Sequence, residues 1–136
     1  MANTFKFELV SPEKLILSAD AVEVTVPGVE GEFGVFANHA AVMSSLQPGV
    51  VTAKFEDGED KAFFVAGGFA DVTATSLTVL AEFAIPKEEL TREIYEERKR
   101  LAQEAHDRII DGEDKKANAR SLIEQLNHLE PTLLPA

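Results

Sequence analysis

The chain contains no cysteine, no tryptophan and a single tyrosine among its 136 residues. Without thiols there is no disulfide framework, no thiolate zinc site or iron–sulfur cluster, and no cysteine nucleophile. The redox compartment is left open by the same fact. Basic residues are scarce: 13 Lys and Arg stand against 24 Asp and Glu, a net charge of −11. That is the wrong sign for a protein that neutralises phosphates, so nucleic acid is not an expected partner. No stretch approaches the ~18 consecutive apolar residues that span a bilayer, and the N-terminus lacks the basic region and apolar core of a signal peptide. The expectation is a chain that stays where it is made, with any membrane association indirect. What is present, 45% hydrophobic and 27% charged residues, is the balance of a folded globular protein.

Composition changes near Pro86. All nine Phe and seven of the eight Gly fall at or before residue 84, and this part has four Lys and no Arg against 12 acids, a net −8. Residues 85–136 have nine basic and 12 acidic residues, a net −3. A strongly acidic body followed by a mixed-charge segment reads as two domains, 1–84 and 85–136, with the boundary at Ala84 to Pro86.

In the first part apolar residues alternate with period two. Phe5, Phe7 and Leu9 oppose Lys6 and Glu8, and Val22, Val24 and Val26 oppose Glu23 and Thr25. Further strands are expected at Gly49 to Phe55, Lys61 to Val65, Phe69 to Thr73 and Ser76 to Ala81. Between them stand Pro27-Gly28, Pro48-Gly49, Asp57-Gly58 and Gly67-Gly68. Short strands with regular turn signals indicate a sandwich or barrel, with Glu56 to Asp60 as an exposed hairpin tip. The second part is helical: Leu90, Ile94, Leu101, Ala105 and Ile109 recur at helical spacing up to about Ile110. Asp111-Gly112-Glu113-Asp114 breaks that helix. A second apolar stripe, Ala119, Leu122, Ile123, Leu126 and Leu129, then runs to Pro131, where the helix is expected to stop. Two such helices joined by a short Gly-containing link make an antiparallel αα-hairpin, which buries little by itself.

Catalytic candidates are thin. His39, His106 and His128 are scattered, with no His-x-x-x-His or Glu-x-x-His spacing for a metal, and the two helical histidines read as structural. No Ser sits in a Gly-x-Ser-x-Gly elbow. Neighbouring acids such as Glu30 with Glu32, Glu88 with Glu89 and Glu96 with Glu97 read as solvated surface. Gly67-Gly68 lacks the Lys and Ser/Thr of a phosphate loop and reads as a bulge or a close strand approach. The segment Pro27 to Ala40 packs three glycines, two Phe and two acids into one loop-like stretch. It reads equally as a wide turn with Phe33 and Phe36 plugging the core, or as a recognition edge.

Several runs together resemble one family. These are Phe7-Glu8-Leu9-Val10-Ser11-Pro12-Glu13, Val26-Pro27-Gly28-Val29-Glu30-Gly31-Glu32-Phe33-Gly34-Val35 with His39-Ala40, and Leu46-Gln47-Pro48-Gly49-Val50. Val65-Ala66-Gly67-Gly68-Phe69-Ala70-Asp71-Val72 and Thr78-Val79-Leu80-Ala81-Glu82 follow. In this order and spacing, ahead of a helical hairpin, the chain is similar to the epsilon subunit of F-type ATP synthases, the counterpart of the mitochondrial delta subunit. The resemblance implies an α+β fold: a ten-stranded antiparallel β-sandwich followed by a two-helix antiparallel αα-hairpin. It implies a non-catalytic central-stalk subunit, without cofactor or metal, that binds the gamma subunit and the ring of membrane c subunits and helps carry torque. The hairpin would reach the alpha and beta subunits of the catalytic head. The location implied is the cytoplasmic face of a bacterial inner membrane, peripheral and held through the complex. By position Glu30, Gly31, Glu32 and Phe33 match the family loop that meets the c ring, with His39 beside it.

Three departures from the family pattern matter. Ala37-Asn38-His39-Ala40-Ala41-Val42 stands where Pro-Gly-His-Ala-Pro-Leu is usual, which makes a less rigid turn. Leu90-Thr91-Arg92-Glu93-Ile94-Tyr95 stands where many relatives carry Leu-Asp-x-x-Arg-Ala for ATP. Thr91 and Ile94 thus replace an Asp and an Arg, and weak or absent nucleotide binding is expected. Little chain follows Pro131, which argues against insertion into the catalytic head. The competing readings are a hairpin that brakes ATP hydrolysis, a free-standing β-sandwich module for a small ligand, and a small enzyme. The ligand module would need an exposed aromatic platform, whereas most Phe occupy positions suited to a core.

Overall fold

A computed structural model describes residues 3–109 and 112–134. The chain divides into two compact units, Met1–Glu89 and Leu90–Ala136. Among the described residues, the first holds nine strands: β1 (Phe5–Val10), β2 (Leu15–Gly28), β3 (Gly31–Phe36), β4 (Val42–Leu46), β5 (Gly49–Phe55), β6 (Asp60–Val65), β7 (Gly68–Val72), β8 (Ser76–Ala81) and β9 (Ala84–Pro86). A 3-10 turn at Lys87–Glu89 follows. The second unit holds α1 (Arg92–Asp107) and α2 (Glu113–Leu133). The boundary expected at Ala84 to Pro86 therefore falls on β9, which pairs with β6 inside the first unit.

The strand count is nine rather than ten because one strand does the work of two. The 14-residue β2 pairs with β1 along its first half and with β3 and β5 along its second. The change occurs at a register shift between Ala21 and Glu23, where Val22 has no partner on β5. A bulge of this kind bends a strand and lets it pass from one sheet to another. One layer is thus β4-β7-β8-β1 with the start of β2, and the other is β3, the end of β2, β5, β6 and β9. The bulge also breaks the expected Val22-Val24-Val26 face: Val24 and Val26 are buried and Val22 is half-buried.

The pairing is not wholly antiparallel. β1 lies parallel to β8, with Phe7 opposite Leu77 and Leu9 opposite Val79. Strands this far apart in sequence have no tight turn to force them antiparallel, and the long intervening chain supplies the crossover that parallel pairing needs. Between the layers sits one apolar core, with Phe7, Leu9, Val24, Val26, Val51, Leu77 and Val79 fully buried. Gly67 and Gly68 both have positive φ, 122° and 129°, and a Cβ on Gly68 would lie 2.0 Å from the Leu80 carbonyl oxygen. This is the close strand approach that the diglycine signalled. The Asp57-Gly58 tip forms as read, with Gly58 at φ 88° and Asp57 Oδ1 accepting from the Glu59 amide at 2.9 Å.

In the second unit α1 begins at Arg92, just after Leu90, the first residue of the expected apolar stripe. Thr91 caps it, its hydroxyl accepting from the Ile94 amide at 3.2 Å, and such a cap fixes where the helix starts. α2 does not stop at Pro131: the helix runs on to Leu133, and the Leu134 amide donates to the Glu130 carbonyl at 2.8 Å. Pro in a last turn removes one amide donor without ending the helix at once. The expected helix end at Ile110 and break at Asp111 lie outside the described residues. The helices are antiparallel, since Tyr95 and Arg92 near the start of α1 meet Leu126 and Glu130 near the end of α2.

Candidate functional site

Three surfaces carry the features that a sequence reading singles out or misses. The first is the β2–β3 turn. Gly28 pairs with Gly31, leaving Val29 and Glu30 as the tip of a two-residue hairpin rather than part of a wide loop. Gly31 has φ 134°, open to glycine and strained for other residues, and the Val29 amide donates to the Ser45 carbonyl at 3.0 Å. Glu30, Gly31 and Glu32 are exposed, and Val29 is 54% exposed. Phe33 is different: its ring packs toward the core under Gly28, where a Cβ would stand 3.0 Å from the ring. The tip therefore presents two carboxylates and one valine, with the Phe33 ring as its support.

His39 is not beside that tip. Gly31–Phe36 is a strand, so the tip and His39 lie at its opposite ends, roughly 17 Å apart along β3 at ~3.3 Å per residue. The mixed glycines and phenylalanines hid the strand, because Gly31 and Gly34 depress strand propensity. The turn before His39 is held by Asn38 at φ 66°, whose amide donates to the Ala74 carbonyl at 2.8 Å. Asn is the side-chain-bearing residue best suited to that left-handed conformation, so it fills the place where the family pattern has Gly. The His39 ring donates from Nδ1 to the Ala40 carbonyl at 2.7 Å.

The second surface was not foreseen. Cross-strand pairing aligns Ser45 with Phe69, Phe69 with Leu80, Leu80 with Val10, and Val10 with Leu15. This row crosses five strands, about 19 Å at ~4.8 Å per strand. Phe69 is 52% exposed, Leu80 49% and Leu15 53%, and Met43 on the same face of β4 is 69% exposed. Large side chains lined up on the outer face of a sheet are out of place in water unless something covers them. Phe36, also 52% exposed, corrects the expectation that it plugs the core. Of the nine phenylalanines, Phe5, Phe7, Phe63 and Phe64 are buried, fewer than alternation implied. The signal available was phase: Phe69 and Leu80 fall one residue out of step with the buried Ala70 and Val79.

The third surface is the open end of the hairpin. Tyr95, fully buried, donates its hydroxyl to the Leu126 carbonyl at 2.5 Å. Glu130 receives Lys99 Nζ at 2.6 Å and Arg92 at 3.2 Å, and Arg92 also donates to the Leu134 carbonyl at 3.2 Å. The Lys99 hydrogen bond, and then the Lys99 and Arg92 charges, hold the Glu130 carboxyl below its usual range. Burial first, and the Glu130 charge second, push the Tyr95 phenol up to about 12. Thr91 and Ile94 serve the helix itself here, one as cap and the other half-buried along α1. Ala105, placed on the apolar stripe by spacing, is exposed, while Tyr95 holds the contact. His106 Nδ1 meets Asp107 at 3.1 Å, and His128 is exposed.

Residues 4–87 match the family model of the ATP synthase delta/epsilon chain β-sandwich domain. The chain belongs to the ATP synthase delta/epsilon family. Proteins named ATP synthase epsilon chain from Allorhizobium ampelinum and Mesorhizobium japonicum are 40% and 42% identical to it, over the full length of both chains in each case. The one from Sinorhizobium fredii is 54% identical over 98 residues, 72% of this chain and 73% of its own. Among solved structures, the fold is shared with a chain of the Euglena gracilis mitochondrial ATP synthase, at TM-score 0.70 and 24% identity over 96% of this chain and 81% of that one. A chain of the Tetrahymena thermophila central stalk and c ring matches at TM-score 0.64 and 18% identity, over 93% and 96%. The family match covers the first two surfaces and stops short of the helical hairpin.

Proposed function

We propose that this chain is a non-catalytic rotor subunit of an F-type ATP synthase, joining the gamma subunit to the c ring so that ring rotation reaches the catalytic head. The observation that carries it is the apolar row Phe69-Leu80-Val10-Leu15 with Met43, all exposed except the half-buried Val10, on a family member whose relatives bear the epsilon-chain name. A row of this length is a docking face for a permanent partner, and gamma is the partner we assign to it. The acidic tip at Glu30 and Glu32 is assigned to the c ring, where carboxylates on a glycine-flanked hairpin tip give orientation and grip through charge. The chain is then peripheral, at the cytoplasmic face of a bacterial inner membrane, held there through the complex.

Purification of the synthase from native membranes through a tag on this chain tests the assignment. Stoichiometric gamma and c subunits are expected with the unmodified chain. Phe69→Asp is expected to lose gamma while the isolated chain keeps its melting temperature, because Phe69 is outside the core. Glu30→Lys with Glu32→Lys is expected to weaken retention on the ring at unchanged stability. Recovery of the chain alone from the soluble fraction would overturn the reading in favour of a free-standing module. For the hairpin, Thr91 and Ile94 offer ATP neither a carboxylate nor a guanidinium, so amide resonances of α1 and α2 are expected to stay fixed up to millimolar ATP. A brake on hydrolysis would then have to act without nucleotide.

A further inference from the structure

On the sandwich, two strand edges have no strand partner among the described residues and face one groove, the β6 edge being flanked there by the Lys87–Glu89 turn. From Leu15 to Asp20, β2 is paired along one side only, with β1, and its pairing to β5 starts at Ala21. β6 carries β9 from Phe63 to Val65, so Asp60 to Ala62 has β5 on one side and, among the described residues, no strand on the other. Between these edges runs a groove of about 790 Å³, continuous through Leu17, Glu59 and Lys61 with a second hollow of about 360 Å³. Its floor is apolar, formed by Ile16, Leu17, Phe55 and Phe63 at the margin of the core. Its rim is acidic: six carboxylates, among them Asp20, Glu59 and Asp60, stand against two lysines. One of those, Lys61, lies over the Phe55 ring at 5.8 Å.

We propose that this groove is a further docking surface, which takes an extended, basic segment of a partner protein by strand addition. An open edge offers unpaired backbone groups to any extended chain, and side chains at alternate positions then decide which chain is admitted. Apolar side chains of the segment would enter between Leu17 and Phe63, and its Lys or Arg residues would meet Asp20, Glu59 and Asp60. The same rim turns away a second copy of this chain, whose net charge is −11. Charge complementarity thus selects a cationic occupant. The inference goes beyond the stalk reading and does not use the apolar row or the acidic tip.

The test uses the full chain and the acetylated, amidated heptapeptide Lys-Val-Lys-Val-Lys-Val-Lys, with its Glu-for-Lys counterpart as control. Titration followed by amide NMR is expected to give saturable shifts at Leu17, Lys61 and Phe63, and slowed hydrogen exchange at amides between Ile16 and Asp20, with no response to the control. Glu59→Lys should weaken binding at least tenfold, whereas Asp71→Lys, the same charge change on the outer face of the other layer, should leave it unchanged. Shifts spread over the whole acidic surface, equal losses from both variants, or no exchange protection in β2 would each overturn the proposal and leave a diffuse attraction only.

Discussion

The sandwich and the hairpin are held together by different physics. Of the 20 buried hydrophobic residues among those described, 18 belong to the sandwich and two, Tyr95 and Leu126, to the hairpin. The sandwich is stabilised by apolar area removed from water, at about 25 cal/mol per Å². Two helices cannot enclose a core, so the hairpin depends on a few specific polar contacts: the Tyr95 hydroxyl on a carbonyl, and Glu130 between Lys99 and Arg92. Burial is non-directional and tolerant, whereas a polar clasp works only when every member is in place. The same segregation places all three surfaces assigned to partners on the unit whose shape is best determined by its own core.

The largest expected effect lies in the sandwich. Phe7 is fully buried between the layers, and Phe7→Ala should cost about 3–5 kcal/mol through lost transfer energy and the cavity left behind. Urea unfolding followed by a sandwich probe should show the midpoint fall accordingly. Native-state hydrogen exchange sharpens the contrast: amides of α1 and α2 should exchange through openings of lower free energy than those of β5 and β8. Equal protection in both units would break the comparison and make the chain one cooperative block.

Tyr95→Phe keeps the ring and removes the donor, so about 1 kcal/mol should be lost, confined to the hairpin helices. The hairpin should also respond to pH on both sides. Glu130 has its folded pKa lowered, so its contribution is complete above the ordinary value of 4.5 and disappears as pH falls through the folded pKa. Tyr95 has its folded pKa raised from 10.0 to about 12, so its contribution is present below pH 10 and is lost as pH rises toward 12. Helical circular dichroism should lose its acid-side dependence in Glu130→Gln and its alkaline dependence in Tyr95→Phe.

Much of the sandwich was legible because period-two alternation is a direct consequence of one buried face, as in Phe5-Phe7-Leu9. What escaped follows from features with no local signal. β3 carries two glycines, β4 has two adjacent serines, Ser44 and Ser45, between Met43 and Leu46, and β9 is three residues long. The bulge at Val22, which lets β2 serve both layers, is a tertiary event written into pairing rather than into propensity. The docking row showed only in phase, residue by residue: the Val10–Leu15 and Phe69–Leu80 pairs are far apart in sequence and meet only through register. In the hairpin, spacing found both helices but assigned Ala105 to the buried side, because helical period alone does not say which side the neighbouring helix covers.

The smallest expected effect tests whether the sandwich owes anything to its surface charges. Lys54 and Glu23 are cross-strand neighbours with Nζ and Oε1 3.7 Å apart, and their side chains are 56% and 29% exposed. An open pair of that length gains little in high dielectric and gives up side-chain entropy to form, so Lys54→Ala should change sandwich stability by less than about 0.5 kcal/mol. Raising salt to about 1 M, where screening acts over roughly 3 Å, should leave that difference unmoved. The hairpin should weaken under the same salt, since Glu130 with its two cations is partly open to solvent. If Lys54→Ala instead cost more than about 1 kcal/mol and salt erased the cost, charge would be holding the sheet together at Glu23, and the division between a buried-core unit and a polar-clasp unit would fail.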